Sequence, residues 1–174
     1  ENKGQLPSNV SFHNKLHLGD MFLEKDRFTF NLFQPEQIDE FYKRRHGEFS
    51  EDYLNGIDIL EEWNMHAYSM IFENSNPNVQ VSASDRLEGY YNYFIGDDES
   101  KWADNVGAYR LVNYDELYDG IDLEIYASFQ NLKYDFIVAP GASTDQISLD
   151  YEGVTEMQIR NGMLVIHLSN GTVK

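Results

Sequence analysis

The residues best equipped for chemistry are carboxylates gathered in short runs. Asp97-Asp98-Glu99 follows Gly96, with Asp104 close behind, and Asp115-Glu116 is followed by Asp119 and Asp122. Ca²⁺ takes about six to eight oxygen ligands at ~2.3–2.6 Å, so Asp97, Asp98 and Glu99 form the candidate metal set and Ca²⁺ the candidate ion. Neither run fits the EF-hand loop, which needs acids at alternating positions, Gly at the sixth and Glu at the twelfth. The competing reading is that these are exposed turn acids capping nearby amides. Two of them could instead serve as the acid and base of a glycosidase, which requires carboxyls about 5.5 Å or about 6.5–9.5 Å apart across a cleft. In a chain with 30 Asp and Glu such a separation arises by accident, so spacing nominates no catalytic pair.

Aromatic residues accompany the acids. Tyr90, Tyr91, Tyr93, Trp102 and Tyr109 could line a sugar-stacking surface, and Tyr91, Tyr93 and Trp102 are the candidate ligand-binding residues. A Tyr-rich alternation is more often half-buried packing with the hydroxyl at the rim, and core packing is the expectation here. His13 and His17 stand four apart, which on a helix would make them zinc ligands on one face. Their surroundings read as strand, where four residues span ~13 Å and no ion is shared. His46, His66 and His167 are isolated. The nucleophile elbow G-x-S-x-G does not occur, and the absence of cysteine removes thiol chemistry, Cys-based zinc sites and disulfide staples.

The elements that must position these residues are short and alternate with period two. Met21 to Leu23 and Phe28 to Phe33 read as a hairpin through Glu24-Lys25-Asp26-Arg27, and Met65 to Phe72 as a third strand closed by Asn74-Ser75-Asn76-Pro77-Asn78. Further strands are predicted at Tyr91–Ile95, Tyr109–Tyr114, Ile121–Tyr126, Leu132–Val138, Ile147–Tyr151, Met157–Arg160 and Leu164–Leu168. A short turn is expected at Tyr114–Tyr118, ended by Gly120. Asn161-Gly162 is a two-residue hairpin signal. Many short strands with Gly, Asn and Pro turns predict a mainly β chain, an antiparallel β-sandwich. One stretch differs: Pro35 to Arg45 starts with Pro, carries acids early and bases late, and ends before Gly47, which predicts a helix. Pro35 to Gly56 therefore reads as one short helical insertion between strands. Asn170-Gly171 repeats the hairpin signal near the end of the sequence. The expectation is a strand that begins and is cut off, leaving Leu164–Leu168 with an open or foreign-paired edge.

At 174 residues the chain fits one all-β domain, residues 1–174, that buries roughly two-thirds of its unfolded surface. A count of 13 Lys and Arg against 30 Asp and Glu gives a formal charge of −17. That field repels phosphate backbones and anionic membrane surfaces, so nucleic acid is not an expected partner; it favours divalent cations or a basic partner, but a solvated surface is the expectation. No apolar run approaches the ~20 residues that cross a bilayer as a helix, so the chain is not expected to be membrane-inserted.

The ordered motifs carry a family likeness. ENKGQLP, MFLEKDRFTFNL, HAYSMIF, YYNYFIGDDESKWADNV, YDELYDGIDLEIY, NLKYDFIVAPGAS and ISLDYEG, spread from Glu1 to about Gly153, resemble an uncharacterised N-terminal β domain of large secreted Bacteroidota surface proteins. In those proteins the domain precedes SBBP propeller-type repeats, PKD-like domains or a gliding-motility sorting region. The likeness departs at Leu6, where an aromatic is expected, and at Pro35 to Asn64. The resemblance implies export by type IX secretion, an extracellular cell-surface location and a place as the N-terminal part of a longer protein. It implies no catalytic residues. The expected function is a non-catalytic module in adhesion or assembly, contacting a protein partner or downstream domains of the same chain through unpaired sheet edges and the insertion. The rival readings are a carbohydrate-binding module that takes a surface glycan on Tyr91, Tyr93 and Trp102, and a secreted glycoside hydrolase-like enzyme using paired carboxylates.

Overall fold

The computed structural model describes residues 1–34, 64–128, 131–169 and 171–173. The expected helix from Pro35 and the insertion to Gly56 lie outside the described residues. Within them the chain is a succession of strands: β1 (Val10–Leu16), β2 (Gly19–Glu24), β3 (Arg27–Phe33), β4 (Met65–Phe72), β5 (Gln80–Arg86), β6 (Tyr91–Tyr93), β7 (Ala103–Val106), β8 (Tyr109–Tyr118), β9 (Ile121–Ser128), β10 (Asn131–Val138), β11 (Leu149–Glu152), β12 (Glu156–Arg160), β13 (Met163–Leu168) and β14 (Gly171–Val173). Two short 3-10 turns, Glu99–Lys101 and Thr144–Gln146, are interspersed. The predicted mainly β, antiparallel class is what the described residues adopt.

Alternation explains the strands. In β4, Tyr68, Met70 and Phe72 are buried while Ala67 is exposed and Ser69 and Ile71 are half-buried, the signature of a strand with one covered face. In β3 the buried positions are Phe28 and Leu32. Tight turns set the registers. Asn161 and Gly162 both take positive φ, 52° and 76°, the conformation that a two-residue type I′ hairpin demands, and Arg160 stands opposite Met163.

The strands form four sheets, ordered β1-β2-β3-β4-β11, β10-β9-β8-β5, β12-β13-β14 and β6-β7. The expected turn at Tyr114–Tyr118 is instead part of β8, which runs to Tyr118 before Asp119-Gly120 reverses the chain into β9. The pairing register shifts between Tyr114 and Tyr118. There Glu116 adopts φ 54° and its amide donates to Asp122 Oδ1 at 2.7 Å. One left-handed residue bends a strand without ending it. The expected open edge of Leu164–Leu168 is covered in part, at Ile166, His167 and Leu168 and not at Leu164 or Val165. β14 pairs with it in register, Ile166 opposite Val173 and Leu168 opposite Gly171, because the Gly171 signal lets the chain fold back onto β13.

The residues group into two compact units. The first comprises Glu1–His13, Phe22–Phe28 and Met70–Asp150. Its core sets Phe28 and Phe72 edge to face at 4.8 Å, with Tyr114 edge-on to both at 5.9 and 6.1 Å. Val79, Leu117, Ile121 and Leu123 of the same unit are also fully buried. The second unit comprises Asn14–Met21, Thr29–Ser69 and Tyr151–Lys174. Its core is Leu32, Tyr68, Ile166 and Leu168, with Leu16, Phe30, Tyr151, Val154 and Val173 packed around them. Phe30 stacks on Tyr68 at 4.7 Å.

Candidate functional site

Within the first unit, β6 and β7 form a two-stranded ribbon, Tyr91 opposite Val106 and Tyr93 opposite Ala103. Two steps on β6 thus match three on β7, and the extra residue is accommodated as a bulge. Asn105 takes φ 49° there and its amide donates to Asn92 Oδ1 at 3.0 Å. Ala103 and Val106 are buried and seat the ribbon. Its large apolar side chains, Tyr90, Tyr91, Phe94, Ile95 and Trp102, are instead exposed, from 39% for Trp102 to 77% for Ile95.

The ribbon's loop is closed on itself. Trp102 Nε1 donates to the Gly96 carbonyl at 3.1 Å, and its indole meets the Phe94 ring edge to face at 5.7 Å. Asp98 caps the 3-10 turn, accepting from the Ser100 amide at 3.1 Å and the Ser100 hydroxyl at 2.6 Å, with Lys101 Nζ 3.7 Å away. The Ser100 hydroxyl and amide, aided by Lys101, hold the Asp98 carboxyl below the usual carboxylate range. One of the three candidate metal ligands is therefore engaged in local capping. Among the described residues no three His, Asp or Glu side chains gather in an arrangement that could hold a metal ion. The second acidic run is likewise turn chemistry: Asp122 takes the Glu116 amide, and Glu116 Oε2 takes the Gly120 amide at 3.2 Å.

The chain's first residues hold the base of the ribbon. Lys3 Nζ donates to the Asn105 carbonyl at 2.7 Å. The Glu1 carboxylate accepts from the Gly107 amide at 3.0 Å and the Tyr109 hydroxyl at 3.2 Å, and Lys3 sits 3.4 Å from it. Burial pushes the Glu1 carboxyl up, but the Gly107, Tyr109 and Lys3 donors together outweigh it and bring the group below its ordinary range. Tyr109 itself is packed, edge-on to Phe12 at 6.1 Å.

Of the three candidate ligand-binding residues, Tyr91 and Trp102 reach solvent and Tyr93 is half-buried. The expectation of core packing is corrected for Tyr90, Tyr91 and Trp102. A ribbon of two strands has too little area to be covered on both sides once Ala103 and Val106 have seated it. Phe94 and Ile95 are exposed in the same stretch of chain and were not singled out by sequence reasoning. Their signal was an apolar pair placed directly before the polar turn Gly96-Asp97-Asp98, where a buried strand would not end.

Histidines serve as packing and latches. His13 stacks on Phe22 at 5.1 Å. In the second unit His66 Nε2 lies 2.6 Å from the Gly153 carbonyl and Nδ1 lies 2.7 Å from Ser169 Oγ. A carbonyl only accepts, so Nε2 carries the proton and, in the neutral ring, Nδ1 accepts from the Ser169 hydroxyl. The line joins β4 to the turns after β11 and β13. It sits where Gly153, at φ 80°, lets the backbone approach so closely that a Cβ would stand 2.7 Å from the Ala67 carbonyl. His167 pairs with Gln158 across β12 and β13.

No helix among the described residues is long and apolar enough to cross a membrane. A family model described as Domain of unknown function (DUF7948) matches residues 1–174. No curated protein and no solved structure matches the chain.

Proposed function

We propose, from the premise that this chain belongs to the family described as Domain of unknown function (DUF7948), that it is a non-catalytic binding module whose β6–β7 ribbon makes protein–protein contacts. The observation that carries this is the number of large apolar side chains held in solvent between Tyr90 and Trp102, namely Tyr90, Tyr91, Phe94, Ile95 and Trp102, with Phe94 and Trp102 in edge-to-face contact. Contiguous exposed apolar patches mark interaction sites, and Tyr and Trp are enriched among the residues that dominate binding energy. The Trp102–Gly96 bond and the Asp98 cap reduce the ordering cost of binding. Ile95, the most exposed of the five, has neither a π-face nor a polar group. It suits an apolar pocket on a protein better than a sugar ring. The setting of the proposal, a secreted multidomain cell-surface protein acting in adhesion or assembly, comes from the motif resemblance.

The test pairs two variants, Ile95→Asp and Trp102→Ala, on the domain's binding to the neighbouring domains of its parent chain, with a glycan array run in parallel. Both variants should weaken protein binding by tenfold or more, about 1.4 kcal/mol, with no glycan signal. A glycan signal that disappears with Trp102→Ala and survives Ile95→Asp would replace this reading with the carbohydrate-binding one. Robust turnover of a glycoside, ester or peptide would end it.

A further inference from the structure

β12 lies at an edge: among the described residues it has a neighbouring strand on one side only, β13. Which of its residues face the open side follows from the hairpin. Asn161-Gly162 is a two-residue loop, so the flanking Arg160 and Met163, which stand opposite each other, form a hydrogen-bonded pair. In an antiparallel ladder successive residues turn their backbone groups alternately toward and away from the partner. Arg160, Gln158 and Glu156 thus bond to β13, while Ile159 and Met157 present N–H and C=O outward. One residue before the strand, the Thr155 amide donates to the His167 carbonyl at 2.8 Å. His167 stands opposite Glu156, so a bulge closes the ladder there.

The two outward residues are also the apolar ones. Met157 stands opposite Ile166 and Ile159 opposite Leu164, so the four side chains share one face of the hairpin. Ile166 is buried in the core of the second unit. Met157 and Leu164 are exposed, and Ile159, at 79%, is more exposed even than Ile95. On the other face Gln158 meets the His167 ring and accepts from Arg160 Nε at 2.9 Å. Natural edges are commonly blunted by proline or by charge. β12 has no proline, and its two charges, Glu156 and Arg160, are opposite in sign and sit at its two ends.

We infer that β12 pairs antiparallel with β12 of a second copy of this chain, about a twofold axis at Gln158. The occupant is identified by charge complementarity. Centring on Gln158 sets Glu156 opposite Arg160 of the partner subunit, twice, and Met157 opposite Ile159 of the partner subunit, twice. A pairing centred on Met157 leaves Arg160 without a facing acid, and one centred on Ile159 leaves Glu156 without a facing base. Axes between residues would set outward backbone groups against inward ones. In the Gln158 register Met157 and Ile159 form the hydrogen-bonded pairs, using the outward backbone groups. Glu156 and Arg160 form non-hydrogen-bonded pairs, where side chains approach most closely. Arg160 gives its Nε–H to Gln158, and its other guanidinium N–H groups remain to serve the carboxylate. The hairpin from Glu156 to Leu168 carries one acid and one base in a chain of charge −17, so it is spared the repulsion that most of the surface imposes on a second copy. Such an interface is isologous and closes at two subunits. It does not involve the β6–β7 ribbon, and each can fail alone.

Sedimentation analysis over a series from micromolar to millimolar concentration tests it. The wild-type chain should show a monomer–dimer equilibrium. Glu156→Arg and Arg160→Glu should each weaken it roughly tenfold, since each replaces two attractive cross-strand pairs with repulsive ones. The double variant, which exchanges the charges, should return it to near the wild-type value. Glu156→Arg also separates this register from bulk charge: it reduces the chain's net negative charge, so a surface governed by overall repulsion would associate more tightly. Ile159→Pro removes an outward N–H that β13 does not use, a change that an edge strand tolerates, and should abolish the dimer. Circular dichroism melting checks that the variants fold, and restoration by the double variant separates lost pairing from lost folding. A monomeric wild type, tighter association of Glu156→Arg, single-variant losses that the double variant fails to restore, or a dimer indifferent to Ile159→Pro would each overturn the inference.

Discussion

Tyr114 has no exposed surface, yet it carries a polar group into the core of the first unit. Its hydroxyl donates to the Glu24 carbonyl at 2.7 Å. Burial, reinforced by the charges of Glu24 and Asp26, pushes the phenol far above its ordinary range, so it stays neutral. Tyr114→Phe keeps the ring packing and leaves a buried carbonyl without its donor, which costs about 1–3 kcal/mol. Urea denaturation should show that loss, and an unchanged midpoint would mean that the bond is not formed. Glu1 offers a pH-dependent counterpart. Its carboxyl is lowered from the ordinary 4.5, so its contribution is fully present above that value and disappears as the pH falls through the lowered pKa. Glu1→Gln should therefore reduce the melting temperature near neutral pH, and the gap to wild type should close below about pH 4.5. A gap that stays constant on acidification would show that Glu1 does not hold the ribbon as an anion. Nothing in the sequence near Glu1 signals this contact, because Gly107 and Tyr109 lie more than a hundred residues away.

Elements whose signal is local were legible. Met65–Phe72 was read with the bounds it has, and Asn161-Gly162 does turn β12 into β13. Where the signal depends on a partner, it was not. β5 consists of small and polar residues, largely exposed, and it is a strand because β8 lies beside it, Val81 opposite Tyr114 and Ala83 opposite Val112. Strand preference is largely a matter of packing against neighbours, so β5 and the short β7 went unread. Two glycines separate local from tertiary demands. Gly162, φ 76°, would place a Cβ in open space, whereas Gly153, φ 80°, would place it against the Ala67 carbonyl. Gly162→Ala should cost only the left-handed strain of about 1–2 kcal/mol. Gly153→Ala adds a backbone collision to the same strain and should cost clearly more. Chemical denaturation of the two variants side by side checks this, and equal losses would remove the close approach at β4.

At the scale of the molecule, composition and pattern determined the class: a mainly β, antiparallel chain with no thiol chemistry and a strongly acidic surface. Those properties are legible because the period-two alternation and the turn residues act over a few neighbouring positions, and charge simply adds. The candidate site was half legible. The stretch from Tyr90 to Trp102 was singled out by its aromatics and acids, but its exposure was misjudged, and Phe94, Ile95 and the clasp from Glu1 and Lys3 went unseen. Tyr91 and Tyr114 look alike in sequence, each in an alternating run beside acids, yet one stands in solvent and the other is fully buried. Only the tertiary structure decided between them. Burial and strand pairing depend on which distant segments arrive beside a residue, and no local pattern records that.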